Sequence, residues 1–66
     1  MPLGTRHDFI GMLLHRDGQL VLLPEAGGEW RLDVPRHAHR LAGYRVRITG
    51  VRDGFDLLAV QTIARI

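Results

Sequence analysis

The run FIGMLL, from Phe9 to Leu14, restricts the fold of this chain more than any other feature. It is apolar on both alternating sets: Phe9 and Leu13 on one, Ile10, Met12 and Leu14 on the other. A strand with one wet face alternates apolar and polar residues, because successive side chains leave opposite faces. Here both sets need cover, as in a strand that curls so that its two halves bury different faces. Gly11 is placed for the bend or bulge such a curl requires. The expectation is a closed, strongly curved sheet.

The rest of the chain is consistent with that. "RDG" at 16 to 18 and "EAGG" at 25 to 28 separate apolar runs, with glycine supplying the positive φ of hairpin turns. The third run alternates cleanly, Trp30, Leu32 and Val34 against Glu29, Arg31 and Asp33. The period changes after Pro35. Proline at a first helical position and Gly43 at a C-terminal cap predict about two helical turns, with Ala38, Leu41 and Ala42 as the apolar stripe. Tyr44, Val46 and Ile48 then resume a strand, "DG" at 53 and 54 turns the chain, and the last run slips its period near Gln61, where a bulge is expected. The order is β-β-β-α-β-β. Sixty-six residues make one domain at most, predicted to span 9–66 behind a flexible arm at 1–8.

That order, with a glycine in a long curled first strand and a short helix between strands three and four, resembles the OB-fold, a five-stranded Greek-key barrel. The run from Gly27 to Val60, with its "G-x-W-x-L", "L-x-G-x-R-V-x-I-x-G" and later "L-x-V-x-x-I", is also similar to small stand-alone bacterial proteins of unknown function that carry this barrel. The resemblance covers about Ile10 to Ile66 and rests on core positions and turn glycines, so it implies an all-β barrel and carries over no catalytic residue. It implies that ligands, if any, lie on the outer face of strands two and three, between the first hairpin loop and the loop joining strands four and five.

Charge suggests one surface. All nine basic residues are arginine, a usage that fits either bidentate phosphate contacts or GC-rich coding. Residues 31 to 52 hold six arginines and a single acid, Asp33; the remainder has three arginines and six acids. Candidate positions for a nucleic acid or other polyanion are Arg16, Arg31, Arg36, Arg40, Arg45, Arg47 and Arg52, with Arg36 and Arg40 together on the helix. Arg45 and Arg47 belong to the fourth strand, which in an OB barrel does not neighbour the third, so the cluster is expected to divide between two surfaces. Trp30 alternates with core residues, and Tyr44 and Phe55 fall at predicted strand beginnings. Exposed aromatics for base stacking are therefore not expected, and nucleic acid is the second choice.

Catalysis has little to work with. The chain contains no serine, cysteine, asparagine or lysine, and no carboxylate pair has an interpretable spacing. On a helix, His37 and His39 leave opposite flanks and cannot grip one ion; no metal or cofactor is expected. No apolar run approaches a membrane span, and a cytoplasmic setting is the expectation. The "QLVLL" strand is apolar on both faces, so Met12, Leu14, Val21 and Leu23 are candidates for an outer apolar surface that pairs with a protein partner or a second copy. A noncatalytic binding or interaction module, possibly self-associating, is the first functional expectation.

Overall fold

The computed structural model describes residues 4–66. Five strands, β1 (Arg6–Arg16), β2 (Gln19–Pro24), β3 (Trp30–Asp33), β4 (Arg45–Arg52) and β5 (Leu57–Arg65), form one sheet, and a short 3₁₀ helix, Arg36–Leu41, lies between β3 and β4. The strands run β1-β2-β3-β5-β4, and β4 pairs back onto β1, so the sheet closes in a ring. All pairings are antiparallel except β3 with β5. These directions put the β1–β2 turn and the helix at one end of the ring. The β2–β3 and β4–β5 loops are at the other.

β1 closes the ring because it serves two neighbours. Its first part, Arg6 to Met12, pairs with β4, and its second, Gly11 to Arg16, pairs with β2. At the overlap a Cβ on Gly11 would stand 2.2 Å from the Leu23 carbonyl oxygen and 2.7 Å from the Pro24 Cα. Only glycine allows the two backbones to come that close. The strand does not exchange faces, however. Phe9 and Leu13 stay on the inner side, and Ile10 and Met12 stand outside, 37% and 40% exposed. β1 begins at Arg6, with Arg6, His7 and Asp8 opposite Val51, Gly50 and Thr49, inside the segment expected to be an arm. Residues 1–3 of that segment lie outside the described residues.

Turn chemistry follows the sequence at the first hairpin, where Asp17 (φ 52°) and Gly18 (φ 79°) both take the positive φ of a two-residue turn that matches strand twist. β5 has the expected irregularity: Thr49 opposes Thr62 and Gly50 opposes Val60, so Gln61 is the extra residue. The ring is filled by Leu13, Leu20, Leu22, Leu32, Val46, Ile48 and Leu58, with Phe9, Trp30, Val60 and Ile63 packed against them. Each comes from the inward set of its strand, which is why one contiguous core forms in so small a chain.

The helix is shorter and tighter than an α-helix. Its bonds run three residues apart, Ala38 N–H to the Pro35 carbonyl at 3.0 Å and Ala42 N–H to the His39 carbonyl at 3.1 Å. At three residues per turn, positions i and i+3 eclipse. Ala38 is therefore fully buried over the core and Leu41 packs below it, as the apolar stripe anticipated. The same geometry turns Arg36 and Arg40 about a third of a turn apart rather than stacking them as an i,i+4 pair.

Candidate functional site

The described residues hold four ion pairs, and each engages one of the candidate arginines. Arg47 grips Asp8 with two donors, Nη2 to Oδ2 at 2.8 Å and Nε to Oδ1 at 3.2 Å. Arg31 bonds Asp56, Nε to Oδ1 at 2.8 Å. Arg16 pairs with Glu29 and Arg45 with Glu25. The hydrogen bonds from Arg47 and Arg31 hold the Asp8 and Asp56 carboxyls below the usual aspartate range and raise both guanidinium pKa values. The regional charge imbalance thus resolves in space: Arg31, Arg45 and Arg47 of the basic stretch meet acids from outside it.

Two of these pairs cross a strand. Arg45 is on β4 and Glu25 follows β2, with β1 between them. Arg16 is on β1 and Glu29 precedes β3, with β2 between them. The outward residues of the crossed strands are Ile10 and Met12 on β1, Val21 and Leu23 on β2. The glutamates at the two ends of the β2–β3 loop therefore strap the ring's outer apolar surface, both reaching round it in the sense β3 to β2 to β1 to β4.

The self-association candidates share that surface. Met12 is opposite Leu23 and Leu14 opposite Val21. Their exposure differs: Val21 is buried at 4%, Leu14 and Leu23 are half-buried, and Met12 is open. Val21 lies in a row between Leu14 and Arg31, with the Arg16–Glu29 strap over its strand, and has nothing left to offer a partner. Ile10, absent from the candidates, is exposed beside Met12 and borders a cleft of about 320 Å³ lined by Phe9, Pro24, Ala26 and Arg47 among others.

The remaining arginines separate as well. β5 lies between Arg31 on β3 and the β4 pair Arg45 and Arg47. Arg52 donates from Nε to the Gly54 carbonyl at 2.8 Å and from Nη2 to the Phe55 carbonyl at 2.9 Å, and so organises the β4–β5 loop. Arg36 and Arg40 are exposed on the helix with no carboxylate partner among the described residues.

Aromatic exposure corrects the sequence reading. Phe55 is 89% exposed, because β5 starts at Leu57 and leaves Phe55 in the turn. Its ring lies 5.9 Å from the Arg52 guanidinium carbon. The loop itself is anchored by Asp53 N–H to the Leu57 carbonyl and Arg31 N–H to the Asp56 carbonyl, both 2.8 Å. Tyr44 is partly exposed with the Arg65 guanidinium stacked 4.1 Å over it. Trp30 is partly buried as expected, in a cluster where His7 stacks on Phe9 at 5.1 Å and tilts against Trp30 at 5.2 Å. The His7 Nε2 is buried without a hydrogen-bond partner among the described residues.

His37 and His39 do not act together; His39 instead meets His15, ring centroids 5.1 Å apart and edge to face. No group of three or more potential metal ligands occurs among the described residues, and none of their helices is long and apolar enough to cross a membrane.

The family model described as "Protein of unknown function (DUF5818)" matches residues 10–66. No curated protein and no solved structure matches the chain.

Proposed function

Since the chain belongs to the DUF5818 family, whose description assigns no activity, we propose a function from its own surface: a noncatalytic protein-interaction module on an OB-type barrel, with Phe55 as its anchor. The strand order β1-β2-β3-β5-β4 with a short helix between β3 and β4 supports the OB assignment, and in that fold the β4–β5 loop borders the ligand surface. The observation that carries the reading is that this loop, tied down by Arg52 and by backbone bonds, leaves the Phe55 ring bare. A pre-organised loop loses little entropy on docking, and one buried aromatic can dominate an interface. Asp53 and Asp56 flank the ring in sequence and balance Arg52, whose guanidinium lies beside it, and Arg31, which Asp56 holds. That local charge favours a protein surface over a polyanion.

The test is a quantitative pull-down from the source cell with wild type and Phe55→Ala side by side. The expected result is a partner held by the wild type and lost by a variant with an unchanged circular dichroism spectrum. Equal recovery with both proteins would overturn Phe55 as the anchor.

A second reading rests on Arg36 and Arg40, the candidate arginines on the helix that no carboxylate engages among the described residues. Two phosphate contacts to a single strand imply a slope of about −1.4 in log affinity against log salt. Titration of a fluorescent single-stranded oligonucleotide at two salt concentrations measures it; absence of binding at low salt would remove this reading.

A further inference from the structure

We propose that the outer face of β1 is a self-complementary surface on which a second copy of this chain docks, with Ile10 and Met12 at its centre. Both side chains stand open in a sheet that has closed on itself. A closed ring offers no free strand edge, so association through this region has to be face to face rather than by strand addition.

The arrangement of charge selects the occupant. On the β4 side of β1, Arg47 is opposite Ile10 and Arg45 opposite Met12. On the β2 side, Glu25 lies beside Ile10, its N–H bonded to the Ile10 carbonyl at 2.8 Å. Arg47 is already neutralised by Asp8, so the charge of the first flank is that of Arg45 and the charge of the other is that of Glu25. A twofold axis lying in the contact plane, parallel to β1, lays the arginine flank of each copy on the glutamate flank of the other. Ile10 and Met12 then meet their counterparts near the axis. Arg45 bonds its own Glu25 through Nη2, and a guanidinium has five N–H donors, so Arg45 can keep that strap and still reach the Glu25 of a second copy. A face of the molecule, whose extents are 30 × 22 × 19 Å, is small beside the ~800 Å² per partner of a standard interface. An interface of that size belongs with the weak, transient class, so the concentration series is carried to the highest concentration at which the protein stays in solution.

This surface is separate from Phe55 and does not rest on the reading above. Sedimentation or light scattering over a concentration series tests it, with Arg45→Glu and Glu25→Arg studied singly and as an equimolar mixture. Wild-type mass is expected to rise from one chain, 7.5 kDa, towards two. Each single variant puts like charges on both flanks and should associate at least about tenfold more weakly. Mixed, the two variants present opposite charges and should recover the pair, a result that an intramolecular role for the strap cannot produce. Phe55→Ala should dimerise like the wild type. Wild type at the mass of one chain throughout, or a mixture that stays monomeric, would overturn the proposal. Circular dichroism verifies that each variant is folded, and Met12→Glu serves as the disrupting variant should either charge reversal fail to fold; its dimerising like the wild type would also overturn it.

Discussion

The two sides of β1 carry almost the same kind of residue and have different roles. Phe9 and Leu13 point into the ring, where Leu13 is fully buried and Phe9 packs with Trp30. Ile10 and Met12, each a single position from an inward neighbour, stand on the outer surface between arginines and acids. Hydrophobicity alone does not choose between the two sets. Gly11 does, because the inward position at that point lies against the backbone of Leu23 and Pro24. A slip of one residue would bring the Ile10 or Met12 side chain onto that backbone and expose Leu13, so the register has a single solution. The outer set is then left with its apolar surface, which the crossing ion pairs cover only in part.

Substitutions that treat the two sides alike should break the comparison, and substitutions on one side should sharpen it. The largest effect is expected at Gly11→Ala, whose Cβ has no space against backbone: a loss of about 3 kcal/mol or more in urea unfolding, or no folded protein. Next is Leu13→Ala, a cavity in the fully buried core, at about 2–5 kcal/mol. Met12→Ala, the neighbouring position on the other side, should change stability by about 0.5 kcal/mol or less. A Met12→Ala loss as large as that of Leu13→Ala would show that the outer face is internal in solution.

The outer ion pairs give an acid limb of defined sign. Asp8 and Asp56 titrate below their ordinary value in the folded chain because Arg47 and Arg31 donate hydrogen bonds to their ionised forms. Their contribution is therefore present above the unfolded pKa of about 3.9 and is lost as pH falls through the lower folded value. Unfolding followed from pH 6 downward should show stability dropping below about pH 4, and Asp8→Asn with Asp56→Asn should flatten that drop. An unchanged limb would mean these pairs are open in solution. The smallest effect belongs to Phe55→Ala, within about 0.5 kcal/mol of wild type, since the ring contributes to no core.

Much of the interior was legible in the sequence. The succession of elements along the chain, Gly11 as the special position in β1, the extra residue at Gln61 and the Ala38–Leu41 stripe all follow from local periodicity and turn chemistry, whereas the order of strands in the sheet is what the resemblance to the OB-fold implies. The exterior was not, because its determinants are remote in the chain: Arg47 meets Asp8 and Arg31 meets Asp56 across 39 and 25 residues. Composition showed the charge imbalance without showing that it would neutralise across strands. Phe55 was misplaced because its apolar character fits a strand beginning as well as a turn, and only the start of β5 at Leu57 separates the two. His15 and His39 meet because the helix folds back over the end of β1, a contact with no sequence spacing to announce it.

The most direct measurement is a concentration series of methyl NMR spectra on the wild-type protein. The Ile10 and Met12 methyl resonances should move together with concentration while those of Leu13 and Leu22, inside the ring, stay fixed. Stationary Ile10 and Met12 signals, or shifts shared equally by inner and outer methyls, would contradict the division of β1 into a filled interior side and an exterior side built to pair.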